Sequence, residues 1–104
     1  MPFTGSEGSA ISRDVARTLI NNFQQSALFQ DIKGGFIGRD ILLKILEQQD
    51  CVGVRYFFAL NDSDLPTIVL VGEDSKGVLQ ADGTIAEEFP LCPPFCWVGS
   101  GLEE

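Results

Sequence analysis

An α+β domain is predicted from three observations. Apolar side chains recur at helical spacing in the first half of the chain, long apolar runs with β-branched and aromatic residues replace them after Cys51, and turn residues punctuate the second half at short intervals. Helices gathered before strands, rather than alternating with them, mark α+β architecture. The expected arrangement is two N-terminal helices packed on an antiparallel β-meander of three to four strands. Residues 1–10 and 98–104 are rich in Gly, Ser and polar side chains. The first stretch is expected to be a flexible tail, the last a flexible tail or the remnant of an added sequence. Residues 11–97 form the expected single domain, a size at which one core suffices.

The first helix is expected from residue 11. Ile11, Val15, Leu19 and Phe23 are spaced four apart, with Ala16 and Ile20 beside them, which makes one apolar stripe. Ser12 suits an N-cap, and Asp14 stands in the first turn, where the helix dipole favours negative charge. The Asn and Gln residues at 21–25 weaken the end, so the helix should stop near Ser26. The second helix is expected over 38–48, with Ile41, Leu42, Ile45 and Leu46 as its buried stripe. Together with Val15, Leu19, Ile20 and Phe23, these residues form the predicted core.

Residues 52–60 and 67–72 read as strands, separated by the turn cluster Asn61-Asp62-Ser63-Asp64. Short strands are expected at 78–80 and 84–89. With Leu60 opposite Thr67, the hairpin places Tyr56, Phe58, Val69 and Val71 on one face. Phe57, Ala59, Ile68 and Leu70 occupy the other. Both faces are apolar, whereas a half-solvated antiparallel sheet alternates apolar with polar. Both therefore need cover. The helices are expected over one, and the 89–97 arm with a second subunit over the other, as a two-fold homodimer.

The composition narrows function. Fifteen acidic and seven basic side chains give a net charge of −8, which opposes nucleic-acid backbones and anionic membranes. Neither is an expected partner. No apolar run reaches membrane-spanning length, and residues 1–10 lack the pattern of a signal peptide. Three cysteines, an odd number, fit a reducing compartment, so a cytoplasmic location is expected. There is no His, which removes the commonest general base and every Ser-His-Asp or Cys-His arrangement. These residues argue against an enzyme, and neither a cofactor nor a metal is expected.

Cys92-Pro93-Pro94-Phe95-Cys96-Trp97 is the most distinctive segment. Its thiols are four apart, unlike the usual Cys-x-x-Cys spacing of redox and zinc sites. Residues before proline favour extended backbone, and an extended Pro-Pro path separates the two Cα atoms by ~12 Å. A disulfide needs ~7 Å or less, hence a sharp bend or a cis proline. The plain expectation is a rigid arm whose Cys, Phe and Trp side chains pack on the sheet. A redox pair or a metal site with Cys51 as a third sulfur is the alternative.

Three weaker patterns carry less. The 34–40 segment has glycines before a helix but lacks the Lys-Ser/Thr of a P-loop, and reads as a helix connection. Asp62, Asp64 and Glu73 mimic calcium-loop spacing without its Gly, and read as turn carboxylates. Arg55, within an apolar strand, suits an anion, a neighbouring carboxylate or a head extended to water.

Gly38-Arg39-Asp40-Ile41-Leu42, Cys51-Val52-Gly53-Val54-Arg55-Tyr56, Ile68-Val69-Leu70-Val71-Gly72 and the Cys-Pro-Pro-Phe-Cys close follow one another along the chain. Together they resemble a group of small uncharacterised bacterial proteins, over residues 11–96. The resemblance implies a bacterial origin and no particular activity. It marks Cys51, Arg55, Cys92 and Cys96 as candidate functional positions. Two functions follow from the residues: a small non-catalytic interaction module that self-associates, or a thiol-based redox or metal-binding protein using Cys92, Cys96 and Cys51.

Overall fold

The computed structural model describes residues 2–26, 31–98 and 101–102. The fold is α+β, with two helices in the N-terminal half and an antiparallel three-stranded sheet, joined by a small two-stranded ribbon. Helix α1 spans Arg13–Gln24, and its Ser12 hydroxyl accepts from the Val15 amide at 3.1 Å, the expected cap. Helix α2 spans Arg39–Leu46, with Asp40 in its first turn and Lys44 in its last, both complementing the dipole. It lies against the sheet.

The sheet has the order β2-β3-β4, built from β2 (Cys51–Leu60), β3 (Pro66–Asp74) and β4 (Ile85–Ala86). Expected strand 78–80 contributes only an isolated bridge, Glu73 with Leu79. The ribbon pairs β1 (Gly34–Gly35) with β5 (Leu91–Cys92), so the glycines expected in a helix connection are strand.

The hairpin register differs by one residue from the expected one. Leu60 lies opposite Pro66, and Ala59 opposite Thr67. Asn61 sets this register. Its carboxamide oxygen accepts from the Ser63 and Leu65 amides at 2.9 and 3.0 Å, and its own amide donates to the Leu65 carbonyl at 3.0 Å. Proline has no ladder donor to lose, and here it opens a strand. The single slip re-sorts the faces. Val54, Tyr56, Phe58 and Leu60 now share a face with Ile68 and Leu70; Arg55, Phe57 and Ala59 share the other with Thr67, Val69 and Val71. A bulge between Cys51 and Gly53 ends the regular ladder.

The core sits where α2 crosses the first of these faces. Ile45, 0% exposed, meets Leu70 and Ala86, with Ile41, Val54 and Ile68 packed around them. Gln48, just past the helix, fastens α2 to the meander. Its amide nitrogen donates to the Ile45 carbonyl at 2.9 Å and to Gln80 Oε1 at 3.1 Å, while its oxygen accepts from the Thr84 amide at 2.9 Å.

The predicted core holds for Ile45 and in part for Ile20, Ile41 and Leu42, but not for the rest of the α1 stripe. Ile11, Val15, Leu19 and Phe23 are all exposed, Leu19 by 57%. Their stripe is a true amphipathic face with little of the described chain against it. Leu46, expected inside, is also exposed. Nor are both sheet faces covered within one chain: Tyr56 and Phe58 on one face and Phe57 and Ile85 on the other remain exposed.

Candidate functional site: an apolar sheet edge and a disulfide loop

Strand β3 is central, held by β2 on one side and by β4 and the Leu79 bridge on the other. Strand β2 is therefore an edge. Its outer half, Tyr56, Phe57, Phe58, Ala59 and Leu60, has no charged residue, no proline and no bulge, the usual guards of an edge. Tyr56, Phe57, Phe58 and Leu60 are exposed, Phe58 by 83%. Tyr56 and Phe58 lie edge-to-face with centroids 5.7 Å apart, so each rigidifies the other. The apolar surface continues from Phe58 and Leu60 into a groove of about 940 Å³, walled by Phe36, Ile68, Phe89 and Leu91.

The inner half of β2 is occupied. Residues 2–10 form no helix or strand, and Phe3, Gly5 and Glu7 lie beside it. The ring of Phe3 stands 5.3 Å from the Arg55 guanidinium, and Gly5 passes so close to the Val52 carbonyl that a Cβ there would lie 3.0 Å from its oxygen. Glu7 folds this stretch on itself by accepting from the Thr4 and Gly5 amides, both at 2.9 Å. The Thr4 amide, foremost among its partners, holds the Glu7 carboxyl below its ordinary range.

Arg55 takes the neighbouring-carboxylate role. Its Nε donates to Glu73 Oε1 at 2.7 Å, and this hydrogen bond, with the charge behind it, raises the guanidinium pKa further. Glu73 is the correction here: it is no turn carboxylate but a β3 side chain, 5% exposed. With its charge matched and Phe3 across its face, Arg55 is engaged by the fold.

The arm at 92–96 is not extended. The Cys92-Pro93 and Pro93-Pro94 peptides are both cis, the Cα atoms of Cys92 and Cys96 stand 4.5 Å apart, and the two sulfurs are bonded. Cys92 is 1% exposed and Cys96 is on the surface. The loop is tied in by the Phe95 amide to the Leu91 carbonyl at 2.9 Å and the Lys33 amide to the Cys92 carbonyl at 2.8 Å. Trp97 returns over β1, where a Cβ at Gly34 would meet its ring at 3.5 Å. Phe89 and Leu91, just ahead of the loop, wall the groove.

Cys51 stands elsewhere. Its thiol points to the Gly53 carbonyl at 3.2 Å, beside the α2–sheet core, and carries no disulfide. Among the described residues no three His, Cys, Asp or Glu side chains gather as a metal could require. No described helix is long and apolar enough to cross a membrane. The four candidate positions thus separate into a bridged pair, an ion-paired Arg and an isolated thiol. The outer half of β2 was the missed feature, although its lack of charge beyond Arg55 was in plain view in the sequence. The chain matches no protein-family model, and neither a curated protein nor a solved structure matches it.

Proposed function

We propose that this protein is a non-catalytic interaction module that self-associates, with strand β2 pairing antiparallel to the same strand of a second copy. The observation that carries the reading is the unguarded outer half of β2: exposed, apolar and without a backbone partner on its outer side among the described residues. Such an edge is a template for another strand. A two-fold axis through Phe57 sets Tyr56 opposite the partner's Phe58, Arg55 opposite the partner's Ala59, and Val54 opposite the partner's Leu60. Aromatic and aliphatic pairs meet, and the two Arg55 charges stay apart. The paired stretch, residues 54–60, stops short of Val52, where Gly5 approaches, and meets the N-terminal segment at Arg55, against which Phe3 stands. At a net charge of −8, two copies repel over most approaches. Residues 51–60 contain no Asp or Glu, so this strip is where contact costs least.

Sedimentation equilibrium at tens of micromolar tests the reading. A dimer, twice the 11.3 kDa of the chain, is expected, and Phe58→Lys should return it to monomer. A wild-type monomer under those conditions refutes it. The Cys92–Cys96 bridge favours a second reading, thiol–disulfide exchange at the surface sulfur of Cys96.

A further inference from the structure

We propose that the Cys92–Cys96 bridge is a redox latch for one wall of the apolar groove, opened by a dithiol reductant that enters at Cys96. The proposal rests on the thiol-exchange reading and adds its structural consequence. Three placements carry it.

The first is asymmetry of access. Cys96 is exposed while Cys92 is buried, so an incoming thiolate reaches one sulfur only. The second is attachment. Cys92 is a ladder residue, paired with Gly34, and its neighbour Leu91 pairs with Gly35. Leu91, Gly34 and Gly35 all line the groove. The third is the scarcity of other fastenings. The ribbon has two residues per strand, supplemented by the Lys33 amide to Cys92 and the Phe36 amide to the Pro90 carbonyl. Phe95, Cys96 and Val98 are exposed and add little burial. A two-stranded ribbon of this length is not stable by itself, so the covalent loop and the return of Trp97 over Gly34 hold the wall.

The exchange balances as follows. A thiolate of the reductant attacks Sγ of Cys96, forming a mixed disulfide while the Sγ–Sγ bond breaks and Cys92 leaves as a thiolate that takes up a proton. The second thiol of the reductant then attacks its own sulfur in the mixed disulfide, releasing Cys96. The reductant departs as a disulfide, and the protein has gained two electrons and two protons. Freed, Cys96 and Trp97 can leave β1, and the Leu91 wall loosens.

The full chain with dithiothreitol as the dithiol probe gives the test, because Trp97 is the only Trp. Native thiol counting is expected to rise from one, Cys51, to three. Trp97 emission should red-shift in step, and amide exchange at Lys33 and Phe36 should speed at least about tenfold. Cys96→Ser should show the reduced behaviour without reductant, and Cys51→Ser should leave the wild-type response intact. Three thiols before any reductant, or one throughout, overturns both the exchange reading and the latch. A rise to three with unchanged emission and unchanged exchange overturns the latch alone.

Discussion

Helix α1 and helix α2 carry the same kind of apolar stripe, yet one lies open and the other is buried. Leu19 at the centre of the first is 57% exposed; Ile45 at the centre of the second is 0% exposed. The two strands of the hairpin repeat the contrast, with Leu70 buried on β3 and Phe58 exposed on β2. In each pair the sequence supplies equal hydrophobicity and the surroundings supply the difference. Helix α2 is fastened by Gln48 across to Gln80 and Thr84, and β3 has neighbours on both edges. Among the described residues, helix α1 is tied to the rest of the chain by the Arg17 guanidinium donating to the Gly101 carbonyl at 2.7 Å, and the outer edge of β2 faces no other strand.

The largest effect that sharpens this contrast is Ile45→Ala. Removing three methyl-sized groups from the closed core should cost about 2–5 kcal/mol in urea unfolding. A loss under about 0.5 kcal/mol would place Ile45 on the surface and dissolve the comparison. Gln48→Ala comes next. It removes three hydrogen bonds and strands the Thr84 amide, for an expected cost of about 1–3 kcal/mol. Should that variant unfold like wild type, α2 is held by apolar packing alone.

Leu19→Ala should change monomer stability by no more than about 0.5 kcal/mol, although the sequence ranks it with Ile45. A cost above about 2 kcal/mol would mean that the α1 stripe is covered in solution. Phe58→Lys should likewise leave monomer stability within about 0.5 kcal/mol while abolishing self-association, which separates an interface residue from a core one. The smallest effect concerns the segment beside the guarded half of β2. Glu7 is held below its ordinary value near 4.5 by the Thr4 amide first. A lowered carboxyl contributes its stability above the ordinary value and loses it as pH falls through the lowered one. The Thr4 and Gly5 amide resonances should therefore move only below about pH 4.5. Movement centred at or above that pH would mean the turn does not engage the carboxylate.

Much of the secondary structure was legible. Ser12 as a cap, the α2 stripe, and the runs that became β2 and β3 were marked by period and by turn residues. The β1–β5 ribbon was not, because two glycines and a Leu-Cys pair have no period, and each is a strand only because the other lies beside it. The Cys92–Cys96 bridge was not legible, because residues before proline favour an extended path, whereas the two Cα atoms stand 4.5 Å apart. Arg55 stood out as the charge in an apolar strand, but its partner Glu73 lies eighteen residues away and was masked by its turn-like neighbours.

The sequence by itself determined the α+β class, the order of the two helices and the two long strands, and which side chains of one element share a side, because spacing along a chain fixes that. Only the tertiary structure decided which of those faces meets another. The hairpin register turned on how the Asn61 carboxamide folds the loop, and one residue of slip re-sorted every pair. The choice of α2 over α1 turned on contacts between residues far apart in sequence, such as Gln48 with Thr84 and Ile45 with Leu70. Hydrophobicity is a property of the side chain, whereas burial is a property of what the rest of the chain places over it.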